Sequence, residues 1–285
     1  MHQQPIREIE VVATRRITPR MARITFGGDE LADYTSVELD QQVKLYFPRP
    51  GQPRPVLPSP DTDFMSWYQA YSAIPESERP WMRSYTIRAH HAESATIDID
   101  FVLHEHAGPA TRWAETAQPG AVLSMFGPSA AFARPTSLAT SIAGADWLLL
   151  VGDATALPAI GSILDGVAAN TPAVVYLEVA DEGEHQALSG SAAVHWLHRD
   201  TSTAPPGALL VEALTSATLP PGAPFAWLAG EAGAVRTLRR HLISDRGLPK
   251  ASIDFTGHWR QSLSQDDAPT KEDIEEANER LAAAQ

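Results

Sequence analysis

Short runs in which apolar and polar residues alternate fill the first hundred positions of the chain. IEVVA at 9–13 and RITF at 23–26 flank a Thr18-Pro19 turn, and Gly27-Gly28-Asp29 closes the second run. Further period-2 segments occur at 43–47 (VKLYF), 84–88 (SYTIR) and 97–103 (IDIDFVL). A period of two puts alternate side chains on opposite faces of a strand. Several such strands with Pro/Gly-rich connections predict a closed or nearly closed antiparallel barrel. Residues 48–80, rich in proline and aromatics, are too long for a hairpin loop and read as an insertion over the barrel rim, with a short helix near 66–72.

After Phe132 the period changes. A buried-type strand at 146–151, a helix at 157–169, a strand at 173–179, a strand at 225–229 and a helix from 231 to about 246 alternate along the chain. Strand–helix alternation implies a parallel sheet with crossover helices. The division is therefore an N-terminal β-barrel domain (1–135), a C-terminal α/β domain (136–265) and an acidic, helix-favouring tail (266–285).

Composition narrows the classes. The chain has 285 residues, 20% of them charged, a formal charge of −13 and no cysteine. The acidic balance argues against general nucleic-acid binding, so any anionic ligand must meet a local basic pocket. Without cysteine there is no structural disulfide and no thiolate-held iron–sulfur cluster on this chain. No apolar run reaches membrane-spanning length, and the N-terminus MHQQPIREIE lacks a signal-peptide core, so a cytoplasmic, non-membrane protein is expected. No long apolar exposed helix stands out, which favours a monomer.

Four stretches carry candidate chemistry. In RSYTIR at 83–88, alternation puts Arg83, Tyr85 and Ile87 on one face and Ser84, Thr86 and Arg88 on the other; good strand formers at a sheet edge account for the same pattern. FVLHEHAGPATRWA at 101–114 runs from a strand into a helix through Gly108-Pro109-Ala110-Thr111. Glycine permits close backbone approach, proline suits a first helical turn, and a helix N-terminus offers free N–H groups to an anion. LLLVGDATALPAI at 148–160 and WLAGEAGAVRTLRRHL at 227–242 each place a strand, a Gly-acid turn and a helix where open α/β sheets bind ligands. His104 and His106 lack an obvious third metal ligand, so no metal site is expected. There is no G-x-G-x-x-G, P-loop, G-x-S-x-G or evident catalytic carboxylate pair.

In order, R-S-Y-T on a barrel strand, a strand running into G-P-A-T, V-G-D-A-T-A-L-P opening an α/β domain, A-G-E, and a terminal TGHWR at 256–260 resemble the siderophore-interacting protein family. Its members are flavin-dependent ferric-siderophore reductases within the ferredoxin-reductase-like superfamily, and the resemblance covers roughly 6–260. It implies an FAD-binding barrel followed by a domain for the electron donor. By resemblance, Arg83 neutralises the FAD phosphate, Tyr85 lies against the isoalloxazine, and Ser84 and Thr86 complete the strand, with Thr86 near the flavin N5. Asp100, Phe101, Val102 and His104, with Gly108, Pro109, Ala110 and Thr111, hold the ribityl chain and diphosphate. Lys44 and Gly127 are additional contacts.

The family's Gly-Asp-Glu-Thr turn is Gly152-Asp153-Ala154-Thr155 here, which keeps Asp153 and Thr155 and loses a carboxylate. The electron donor is expected to be NADPH or NADH, or alternatively ferredoxin, and the substrate a ferric siderophore. Because such chelates are often anionic, a basic pocket is expected from Arg239, Arg246, Lys250, His258 and Arg260, with Arg134 at the domain junction. No acid–base catalyst is required for electron transfer through flavin. A flavin reductase serving a protein partner, or a binding module without turnover, are the competing readings.

Overall fold

The computed structural model describes residues 6–60, 63–104, 108–128, 134, 136–267, 270–272 and 274–275. Eleven strands and six α-helices divide between a closed barrel and a five-stranded sheet among these residues. This is the ferredoxin-reductase-like arrangement of an antiparallel barrel followed by a parallel α/β domain.

The barrel is built from β1 (Ile6–Thr18), β2 (Met21–Gly27), β3 (Gln42–Phe47), β4 (Trp81–His91), β5 (Thr96–Val102) and β6 (Val122–Phe126), in the order β1-β2-β5-β4-β3-β6. All of its ladders are antiparallel. β6 pairs with both β1 and β3 and so closes the wall. The period-2 pattern does not pick out its five residues, VLSMF, and the sequence alone leaves the barrel one strand short.

Alternation fixes the barrel core. Ile9 and Val11, Ile24 and Phe26, Leu45 and Phe47, Ile97, Ile99 and Phe101, and Leu123 and Met125 point inward and are buried. Full burial of each such side chain contributes about 1.5–3 kcal/mol. The insertion carries α1 (Phe64–Ala73), capped by the Asp63 carboxylate accepting from the Ser66 N–H. Trp67 and Tyr71 of α1 pack on Tyr46 and Phe126, outward-facing residues of β3 and β6. The insertion therefore braces a side wall of the barrel.

The second domain orders its strands β11-β10-β7-β8-β9, all parallel. These are β7 (Trp147–Asp153), β8 (Ala173–Val179), β9 (Ala192–His198), β10 (Pro224–Glu231) and β11 (Ile253–Trp259). All seven residues of β7 are buried, because helices cover both faces of this central strand. Leu148 and Leu150 face α3 (Leu138–Ala143) and α4 (Leu157–Gly166), while Trp147, Leu149 and Val151 face α5 (Ala208–Ser216) and α6 (Ala232–Ser244). A strand buried on both faces reads as a continuous apolar run. The pattern of the sequence locates three of the five strands; β9 and β11 are edge strands of mixed polarity and, like α5, are visible only in three dimensions.

Among the polar contacts that join the domains, three are built on buried or partly buried charges. Glu184, 3% exposed, accepts from the Thr18 hydroxyl at 2.6 Å and the Arg20 N–H at 2.8 Å. Arg88 leaves β4 to reach Asp165 of α4 at 2.6 Å, and a Cβ at Gly161 would stand 2.8 Å from its Nε, so the glycine makes room for the guanidinium. Asp40 accepts from Arg134 (2.7 and 2.6 Å) and from the Trp227 indole N–H (2.8 Å), and Arg134 also pairs with Asp254 at 2.8 Å. Arg134 is thus tied into the junction by carboxylates from both domains.

Candidate functional site

The site begins with a gap in a ladder. β4 pairs with β3 from Trp81↔Phe47 to Thr86↔Gln42, but its register with β5 starts only at Ile87↔Ile99. On the β5 side, the segment Arg83–Thr86 therefore has no strand partner, and its backbone is available to a ligand or a covering segment. The ladder shifts register between Ile87 and Ala89. The resulting bulge lets Arg88 turn toward α4, since an extra residue re-aims a strand side chain.

Around this gap the residues of β4 have distinct surroundings. Ser84 Oγ accepts from Lys44 Nζ at 2.5 Å, and the Ser84 N–H donates to Gln265 Oε1 at 3.0 Å. Arg83 forms a two-point ion pair with Asp266, at 2.9 and 2.6 Å. The Tyr85 ring lies 4.4 Å from Phe101 and 6.3 Å from Phe47, packed against the barrel core, and burial pushes its phenol pKa upward. Thr86 is buried. Burial also lowers the pKa of Lys44, because a low-dielectric surrounding disfavours the ammonium.

On the other side of the gap, α2 (Pro109–Thr116) follows β5. Among the described residues its first turn has no side-chain cap and a Cβ at Gly108 would meet nothing within 4 Å, and Pro109 occupies its start. Uncapped N–H groups with open approach suit an anion. Thr111 is buried, and its hydroxyl lies 3.4 Å from both the Val102 carbonyl and His104 Nε2. Ala110 packs into the barrel core. His106, the other half of the sequence's histidine pair, falls outside the described residues.

Two β5 residues have their side chains committed elsewhere. The Asp100 carboxylate is held by Arg23 of β2 at 2.6 and 2.8 Å, and Phe101 is fully buried. Only their backbone groups are left to face a ligand. Val102 packs toward the second domain, and Gly127 sits beside Val43 of β3 with φ of +115°, a conformation that favours glycine.

At the carboxyl ends of β7, β10 and β11, Asp153 is the common anchor. Its Oδ1 accepts from the Thr155 N–H (2.8 Å) and hydroxyl (2.6 Å), and its Oδ2 from the Glu231 N–H (2.9 Å) and the Trp259 indole (2.7 Å). Gly230 pairs with Gly257 and Glu231 with Trp259, so the ladder skips His258. That bulge turns His258 as well as Trp259 toward the Asp153–Thr155 turn. His258 Nδ1 lies 3.2 Å from both the hydroxyl and the carbonyl of Thr155, and its Nε2 is buried without a hydrogen-bond partner among the described residues. Burial lowers the His258 pKa, against the opposing pull of Asp153.

The structure does not gather the five cationic and histidine positions expected to form a chelate pocket. Arg246 bonds the carbonyls of Leu214, Thr215 and Ala217, closing the C-terminus of α5. Arg239 stacks over the Phe255 ring at 4.2 Å. Lys250 precedes β11, whereas His258 and Arg260 stand at its other end. Seven strand residues put these ends roughly 20 Å apart. Closeness in sequence misleads here because a helix and a strand run the length of the domain between Arg239 and Arg260.

The cations that do come together surround β4. Lys44 and Arg83 flank Ser84, and Arg260 bonds the carbonyls of Ser264 (2.8 Å) and Asp267 (3.4 Å) in the segment that covers it. Gln265 links the two halves, donating to the His258 carbonyl at 3.4 Å while accepting from Ser84. Sequence reasoning missed Gln265, Asp266 and Asp40; no local pattern marks residues whose partners lie 94 to 187 positions away.

Comparison with known proteins bears on the family and the fold. Residues 10–132 match the siderophore-interacting FAD-binding domain, and residues 145–262 match the siderophore-interacting protein domain. A siderophore utilization protein from T. fusca is 34% identical, with a TM-score of 0.74 over 93% of this chain and 97% of that one. The ferric vibriobactin reductase ViuB of Vibrio cholerae is 29% identical over 91% of both chains. A ferredoxin reductase of carbazole 1,9a-dioxygenase shares the fold alone, at 17% identity and a TM-score of 0.58 over 89% of this chain and 69% of that one. Barrel, parallel sheet and both matched domains lead to one assignment: the chain belongs to the siderophore-interacting protein family.

Proposed function

We propose that this protein is an FAD-dependent reductase of ferric siderophores, acting in the cytoplasm as a monomer and drawing electrons from NADPH or NADH, or else from ferredoxin. The reading rests on one feature, the stretch of β4 left unpaired on its β5 side, where Arg83, Ser84 and Lys44 meet the covering segment anchored at the carboxyl end of β11. Arg83 binds a flavin phosphate, the α2 N-terminus receives the diphosphate, and Tyr85, backed by Phe101, offers a ring face. Bound flavin supplies the exchange between a two-electron donor and one-electron acceptors. With a nicotinamide donor the balance is NAD(P)H plus two Fe(III) giving NAD(P)⁺, a proton and two Fe(II).

Hard oxygen ligands hold Fe(III) more tightly than Fe(II), so reduction loosens the chelate, and no side chain need act as acid or base. Lys44 and Arg260 attract the anionic chelate. Asp153 holds Thr155 and Trp259 at the edge where the electron donor docks. The test is spectroscopic: purified protein carries a flavin absorbance that NADH or NADPH bleaches and a ferric siderophore restores. A protein that takes up no FAD overturns the reading, and bleaching without recovery by ferric chelates points to a protein acceptor instead.

The cost of burying Lys44 gives a pH signature. Its folded pKa lies below the ordinary 10.5, so as pH rises through that lowered value the ammonium is lost and affinity for an anionic ferric chelate weakens. Folding stability moves the other way, since the unfolded chain holds the extra proton in this window and stability rises with pH. Lys44→Met is expected to flatten the alkaline limb of a chelate-binding titration followed by flavin fluorescence. An unchanged limb places the titrating group elsewhere.

A further inference from the structure

The segment after β11 is folded into a specific shape. Arg260 bridges to Leu263, Ser262 takes a left-handed φ of +63°, and the Asp267 carboxylate accepts from the Ser264 N–H at 2.6 Å. Arg260 holds the Ser264 carbonyl. This turn presents Gln265 and Asp266 side by side, and both meet the exposed stretch of β4: Gln265 on the Ser84 N–H, Asp266 on the Arg83 guanidinium. Arg83 is 14% exposed, Asp266 50%. The anchor is thus the sheltered partner and the carboxylate the accessible one.

A carboxylate accepting two parallel N–H bonds from a guanidinium presents the same charge and geometry as two oxygens of a phosphate. We propose that residues 264–267 form an intramolecular strap whose Asp266 occupies the phosphate position of the flavin site, so that the flavin diphosphate must displace Asp266 from Arg83 to bind. The inference depends on the reading that Arg83 and Ser84 hold FAD. Three features make the strap displaceable. Asp266 is half in water, its two-point pair with Arg83 is its hold on the barrel among the described residues, and the Ser264–Asp267 bond holds the turn together when Asp266 lets go. The contact also links occupancy to the second domain, because Gln265 bonds the His258 carbonyl as well as Ser84.

The strap differs from a pocket wall in the sign of its effect. A wall residue adds to flavin affinity, whereas a competitor subtracts from it. Full-length apoprotein is titrated with FAD and, separately, with riboflavin, which has no phosphate. Asp266→Asn keeps the shape and removes the charge, and is expected to tighten FAD binding by about three- to fivefold, the scale of a partly exposed ion pair, while riboflavin affinity changes by less than about twofold. Gln265→Ala, which frees the Ser84 N–H, is expected to tighten FAD binding in the same direction.

FAD affinity that is unchanged or weaker in Asp266→Asn overturns the strap, as does equal tightening of FAD and riboflavin, since that shows steric cover without competition for the phosphate position. Arg83→Ala separates the two readings. If it weakens FAD while Asp266→Asn leaves FAD unchanged, the flavin site stands and the strap fails. If Arg83→Ala leaves FAD binding intact, the flavin reading of β4 is itself wrong.

Discussion

Arg83→Ala is expected to raise the dissociation constant for FAD by about 10- to 100-fold, the equivalent of losing a charge-assisted hydrogen bond worth about 1.5–3 kcal/mol. The protein should still fold. In the apoprotein Arg83 pairs with a carboxylate that is half in solvent, and such a pair contributes at most about 1 kcal/mol to stability. Its neighbours Ile87, Phe101 and Leu45 keep their burial when the guanidinium is removed. The measurement is the ratio of flavin to protein absorbance after purification, with thermal unfolding of the apoprotein as the control. Loss of folding along with loss of flavin would show that Arg83 is structural.

Asp40→Ala is expected to do the opposite, unfolding the protein far more than it disturbs flavin chemistry. The Asp40 side chain is 1% exposed and takes two bonds from Arg134 and one from the Trp227 indole. Removing it leaves a buried indole N–H unpaired and strips Arg134 of its closest counter-charge, a loss of about 3–5 kcal/mol for breaking a buried pair. For a chain of this size that lowers the melting temperature by roughly 10 °C. Because Asp40 belongs to the barrel and Trp227 to the parallel sheet, unfolding is also expected to split into two transitions in calorimetry as the domains uncouple. A single transition at the wild-type temperature would show that the remaining contacts, Glu184 and Arg88 among them, suffice to hold the junction.

The two cases show what kind of information a single sequence carries. RSYT on an alternating strand, and glycine and proline at a strand-to-helix junction, are local patterns whose physics acts over a few residues, and both mark elements found in the structure. The expected alternation of β4 is kept, with Tyr85 packed on the barrel core and Ile87 inside it. A bulge follows at Arg88, because Arg88 is drawn out to Asp165 of α4. Asp40, Gln265 and Asp266 carry no such mark. Their importance comes from partners that only the closed fold brings within 3 Å.

The basic pocket marks the same limit from the other side. Arg239, Arg246, Lys250, His258 and Arg260 lie within 22 positions, yet α6 and β11 carry them to different ends of the domain. Arg246 and Arg239 serve the fold itself, as a helix-end clamp and a stacking partner. Charge density along a chain does not measure charge density in space when regular elements intervene.

By itself, the sequence determined the two-domain architecture and the strand presenting Arg83 to Thr86, because hydrophobic period and turn chemistry act between near neighbours. It also determined the glycine turns at the sheet edge. Only the tertiary structure decided that β6 closes the barrel, that β4 lacks a β5 partner where Ser84 and Arg83 stand, and that the turn after β11 covers them. These are choices between alternative long-range pairings of nearly equal local energy. They are settled by which pairing buries the two cores together.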